Sequence, residues 1–200
     1  MRHSEYDNFA FHPYNIILML TLFAISALFL AFSAALVYNR VQNDLPPIKL
    51  PTLFIFNTLI LLGSSYTMLW AKKAYKADET VNYQKALWAT VSLSLIFLVL
   101  QFFGWQQLMA ENIFLTTGNS DAYLYLLSGL HFAHVIAGLP FLILFLRAAK
   151  LRMKEPVSVL VYFSDPEKKL KLRLLTIYWH FLDLLWVYLV LFFYLNYLIQ

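Results

Sequence analysis

The chain has 200 residues, of which 61% are hydrophobic and only 13% charged, with a formal net charge of +4. That balance lies far outside the range of water-solvated globular domains and excludes them, so the solvent of the folded chain must be lipid. The absence of cysteine excludes disulfides, thiolate metal sites and any copper centre built on paired cysteines. The basic residues collect at the ends of apolar runs instead of forming a face with interleaved aromatics, which excludes nucleic acid as a partner.

A bilayer core about 30 Å thick takes roughly 20 apolar residues per helical crossing. Five such runs follow one another, at approximately 13–37, 53–71, 86–109, 123–146 and 174–199. They predict an all-α integral membrane bundle of five transmembrane helices, a single membrane domain over residues 1–200. The first run follows a polar dozen and has no small-residue cleavage site behind it, so it is expected to be a retained span. Pro13 and Pro51 stand where helices begin and forfeit no internal hydrogen bond there. The second run carries Asn57, Ser64 and Ser65 and the third Gln101, residues suited to hydrogen bonds between helices. In the fourth, Pro140 two residues after Gly138 predicts a kink or a close helix approach. Thirteen lysines and arginines fall on connections to one side of the bundle and two on the other. By the positive-inside rule the N-terminus is then cytoplasmic and the C-terminus external.

An ionisable group inside a bilayer is costly and needs a partner or a purpose. The fourth run carries His131 and His134, and the fifth His180 and Asp183. Each pair is spaced i, i+3 and so shares a helix face. At about 1.5 Å of rise per residue, Asp183 lies roughly 14 Å from its helix end and His134 roughly 18 Å, which leaves a hydrogen bond between them geometrically open. His180 lies at roughly 9 Å and His131 at roughly 22 Å on that scale. The bland account of these four residues is a polar network that fastens the bundle. Haem ligation as in a b-type membrane cytochrome fits poorly, because His131 and His134 share a face and cannot take opposite axial positions. A small transporter would be expected to show inverted repeats or broken helices, and neither is visible.

Residues 123–150 read YLYLLSGLHFAHVIAGLPFLILFLRAAK and residues 178–194 read YWHFLDLLWVYLVLFFY. Gly129, His131 and His134 in the first, and Tyr178, Trp179, His180, Phe181, Asp183 and Trp186 in the second, resemble the two most recognisable helices of subunit III of the haem-copper terminal oxidases. Asn57, Thr58, Leu61, Leu62, Ser64, Ser65 and Thr67 resemble that family's Asn-Thr and Ser-Ser helix, and Leu98 with Gln101 its next. The resemblance extends over essentially the whole chain and is to the short five-helix bacterial form.

It implies a non-catalytic subunit of an oxygen-reducing, proton-pumping oxidase that accepts electrons from cytochrome c or quinol in the bacterial cytoplasmic membrane. Such a subunit flanks subunit I and stabilises it, is accompanied by subunit II and further subunits, holds structural phospholipid and supports proton uptake. Haem and copper then belong to the partner subunits I and II, and no cofactor or metal to this chain. Arg147 matches an arginine that contacts a lipid phosphate in the family, with His134 as a further candidate for the lipid site. The sequence departs from the family at two carboxylates. Nothing acidic occurs between Ile16 and Val37, and the family's Gln-x-x-Glu reads Gln101, Phe102, Phe103, Gly104. The same departure suits a subunit III-like protein associated with nitric oxide reductase.

Overall fold

The computed structural model describes residues 12–43, 50–115 and 118–198. These form six helices: α1 (Pro13–Asn43), α2 (Thr52–Lys76), α3 (Thr80–Ala110), α4 (Asn119–Arg152), α5 (Pro156–Ser164) and α6 (Pro166–Leu198). All but α5 are long and apolar enough to cross a membrane. Helix is the form that satisfies every backbone N–H and C=O within one segment, as lipid demands.

The expected spans are all present, and each helix outruns its apolar run. α3 starts at Thr80 instead of residue 86, and α6 at Pro166 instead of residue 174. The added turns contain Gln and Lys, good helix formers whose polarity shortens the apolar run but not the helix. Residue 199, the expected end of the fifth span, lies outside the described residues. α5 falls in what sequence reading leaves as a loop. Nine residues span roughly 14 Å, too short to cross a bilayer.

Helix boundaries follow local chemistry. At the end of α2, Asp78 has φ 55° while Glu79 N–H donates to the Ala74 carbonyl at 3.0 Å and Asp78 N–H to that of Tyr75 at 3.4 Å. α3 ends the same way on Asn112, φ 61°, with Ile113 N–H to Leu108 and Asn112 N–H to Met109. Both are Schellman closures with a short polar residue in the left-handed position usually held by glycine. Asp165 starts α6, its carboxylate accepting from the backbone N–H of Glu167 at 3.0 Å and pairing with Lys168 at 2.8 Å.

α2 and α3 form the tightest pair, α6 packs on α2 and α4, and α1 sits outermost with the smallest buried share. Two contacts fix which connections share an end. Tyr75 and Tyr83, either side of the α2–α3 turn, meet Tyr162 and Phe163 of α5. Arg173 donates to Asn15 at the start of α1 at 2.9 Å. At the opposite end Asn39 donates to the Tyr123 hydroxyl at 2.8 Å, and Arg40 bonds the Asn196 carbonyl.

Candidate functional site

The polar residues of the spans converge on α6. Trp186 Nε1 donates to Thr58 Oγ1 at 3.2 Å, Trp179 Nε1 donates to Ser64 Oγ at 3.0 Å, and Ser65 Oγ meets His180 Nδ1 at 2.5 Å. Thr58 to Ser65 is seven residues on α2, and Trp186 back to Trp179 is seven on α6. Two turns return a helix to nearly the same face, so both antiparallel helices present their polar partners along one seam. Ser65 also interacts with the Asp183 carboxyl, which is 4% exposed and keeps Oδ2 without a protein partner among the described residues.

α4 enters the seam from the other side. His131 is fully buried, and its Nε2 lies 3.1 Å from the Leu182 carbonyl. A carbonyl oxygen only accepts, so Nε2 carries the proton. The imidazole stands against Trp186, centroids 4.9 Å apart, with Phe97 of α3 at 5.6 Å. Trp186 in turn touches Phe54 of α2 and Phe97 at 5.3 and 5.2 Å. Four spans therefore share one aromatic knot.

His134 does not bond Asp183. Its Nδ1–H is turned back to the Leu130 carbonyl of its own helix at 2.7 Å, while its ring lies against Phe29 of α1. The i−4 carbonyl was the nearer acceptor, and the i, i+3 spacing that puts His134 beside His131 does not bring it round to Asp183. The four ionisable residues thus form no single network: His131 bonds backbone on α6, His134 bonds backbone on its own helix, and His180 bonds Ser65, which also interacts with Asp183. Sequence reading anticipated Asn57, Ser64, Ser65 and Gln101 as interhelical hydrogen bonders, and Asn57 does donate to Gln101 at 3.0 Å. It missed Thr58 and the two indole nitrogens, although a buried indole N–H in an apolar span is itself a signal that an acceptor must be near.

Arg147 is exposed on α4. A largely apolar cavity of about 590 Å³ opens between α1, α4 and α6, lined by Tyr14, Thr21, Phe141, Phe145, Lys171 and Tyr178 among others, and neither Arg147 nor His134 lines it. Among the described residues no group of three or more His, Cys, Asp or Glu gathers as a metal site.

Residues 14–197 match the family model of cytochrome c oxidase subunit III. This chain belongs to that family. It is similar to cytochrome c oxidase subunit 3 of Synechocystis sp., at 31% identity over 184 residues covering 88% of this chain and 73% of that one. The corresponding protein of Thermostichus vulcanus is 27% identical over 188 residues, 88% of this chain and 85% of that one. That of Felis catus is 28% identical over 146 residues, 72% of this chain and 49% of its own.

The chain is therefore a non-catalytic subunit of a haem-copper oxidase complex, and the seam acquires a meaning in subunit III terms. Residues quoted as two separate motifs, the Ser-Ser helix and the Tyr-Trp-His-Phe-x-Asp run, are the two halves of one lock. The missing carboxylate of the third span also has a structural counterpart. A Cβ on Gly104 would meet the Phe54 ring at 3.0 Å, so that ring occupies the space a side chain would need.

Proposed function

We propose that this subunit III binds directly to subunit I, in company with subunit II and further subunits, and stabilises the haem and copper centres those partners carry. Its working place is the bacterial cytoplasmic membrane. The N-terminus and the α5 end face the cytoplasm, and the chain acts as a single membrane domain. The observation that carries the reading is the α2–α4–α6 seam, in which His131 and His180 are each engaged in a hydrogen bond between helices. A residue so engaged serves rigidity, the property a non-catalytic flank of a catalytic subunit needs.

Arg147 belongs to this proposal as a lipid ligand, its guanidinium suited to a bidentate contact with a phosphate at the membrane surface. His134 lies thirteen residues deeper, roughly 20 Å along the helix, and belongs beside the acyl chains of the same lipid.

Purification through a tag on this chain in mild detergent tests both parts. Haem-bearing subunit I is expected to co-purify, and the isolated chain to be colourless. Stoichiometric haem on the isolated chain would overturn the reading. Native mass spectrometry of the same preparation is expected to show a phospholipid that Arg147→Gln loses, and unchanged occupancy would leave Arg147 as an interfacial anchor.

A further inference from the structure

α5 is bound to the bundle by one face only. Tyr162 and Phe163 are buried, and the Tyr75 hydroxyl donates to the Tyr162 carbonyl at 3.1 Å. On the opposite face Val157 is 73% exposed, Leu160 68% and Val161 62%. Positions i, i+3 and i+4 make a continuous aliphatic stripe along the helix. Both ends of α5 are tied within a few residues to the ends of α4 and α6, and its inward rings reach the α2–α3 turn. The helix therefore lies across the end of the bundle, where hydrocarbon gives way to headgroups.

What flanks the stripe identifies its occupant. A cavity of about 450 Å³ opens beside it, lined by Arg152, Lys154 and Lys168 together with Glu155 and Ser158. Lys168 is already committed, to Asp165 at 2.8 Å and to the Tyr162 ring at 4.6 Å. Arg152 and Lys154 are exposed, and among the described residues neither has an acidic partner. Between residues 147 and 173 there are eight basic and three acidic side chains. An aliphatic stripe bordered by uncompensated cations is complementary to acyl chains under anionic phosphates.

We propose that α5 is an in-plane membrane helix, with Val157, Leu160 and Val161 sunk among acyl chains and Arg152 and Lys154 holding the phosphates of anionic lipid. The site is separate from Arg147, which does not line this cavity. It rests on the five helices being membrane spans.

The chain has no cysteine, so single-cysteine spin labels report cleanly. Full-length Leu160→Cys is labelled in nanodiscs of phosphatidylcholine with and without phosphatidylglycerol. Leu95→Cys in mid-α3 serves as the lipid reference and Lys76→Cys, at the exposed end of α2, as the water reference. Accessibility to oxygen is compared with accessibility to a water-soluble nickel chelate. The label at position 160 is expected to resemble that at 95, with an oxygen-to-chelate ratio several-fold above that at 76. Phosphatidylglycerol should raise the ratio further, and the added pair Arg152→Gln and Lys154→Gln should abolish that rise, since each basic residue near the surface is worth roughly a fivefold change in anionic-lipid affinity. A chelate-accessible label at 160 overturns the proposal, and so does one shielded from both reagents, which would mean a protein covers the stripe. An unchanged phosphatidylglycerol response in the double variant overturns the role of the cations. Chelate access at position 95 would instead show that the membrane reading itself had failed.

Discussion

Trp179 is held from three sides. It is 1% exposed, its indole donates to Ser64, and its ring lies over Gly138, where an added Cβ would come within 3.0 Å of Trp179 Cζ3 and 2.9 Å of Tyr178 Cε1. The ring cannot withdraw without breaking its hydrogen bond, so the clash has no cheap relief. Overpacking of this kind costs about 1–3 kcal/mol, whereas an interhelical hydrogen bond inside a membrane averages only about 0.6 kcal/mol. Gly138→Ala is therefore expected to lower the melting temperature of the detergent-solubilised chain more than Ser64→Ala does. The reverse order would mean that the seam depends on its hydrogen bonds more than on close packing. The close approach at Gly138 was legible in the Gly138, Pro140 pair. The partner of each histidine was not, because helical spacing gives the face a residue occupies and not the atom that will meet it. Ser65 was legible as a hydrogen bonder and invisible as the partner of His180.

Helices here end on chemistry that hydropathy does not register. The five spans were legible because each holds some twenty apolar residues, but their outer turns are polar and the apolar count stops short of them. α5 was hidden for the opposite reason: its six apolar residues between Val157 and Phe163 are diluted by Lys154, Glu155 and Asp165 in any window long enough to detect a span. The Schellman closure at Asp78 tests how much such an end contributes. With φ 55°, Asp78 occupies a region that β-branched residues enter only under strain. Asp78→Val is expected to cost about 1–2 kcal/mol, and Asp78→Gly to be neutral or stabilising, since glycine adopts this backbone freely. Thermal unfolding of the two variants in one detergent decides it, and equal melting temperatures would remove the conformational explanation. The start of α6 adds a pH dependence. The hydrogen bond from Lys168, aided by backbone N–H donors, holds the Asp165 carboxyl below the usual carboxylate range. Its contribution is then present above the unfolded-state carboxyl pKa and is lost as pH falls through the lower folded value. The group is partly open to solvent, so the effect is a local fraying of the α6 start.

The molecule as a whole is polarised along its length. The α5 end gathers the start of α1, the α2–α3 turn and the α4–α6 segment, joined by the Tyr75, Tyr83, Tyr162 and Phe163 rings and by Arg173 with Asn15. The other end gathers the close of α1, the start of α4 and the close of α6. Among the described residues Arg40 is the sole lysine or arginine at that second end, and it bonds the Asn196 carbonyl at the close of α6. The charge asymmetry read from the basic residues on alternate connections is thus an asymmetry between two physical ends, which is the form in which the insertion machinery meets it. Orientation follows if the basic end is retained in the cytoplasm, and reporters can measure it. A fluorescent protein that matures only in the cytoplasm is expected to be bright when inserted near Lys154 and dark when fused after Gln200, with an exported phosphatase giving the opposite pattern. Moving charge provides the stronger test. Neutralising Arg40 should leave the pattern intact, because the basic end keeps its excess. Replacing Arg152, Lys154, Lys168, Lys169 and Lys171 together by glutamine while adding lysines after Gln200 should produce a mixed population. A uniform, unchanged orientation in that last variant would show that charge does not set the topology of this chain.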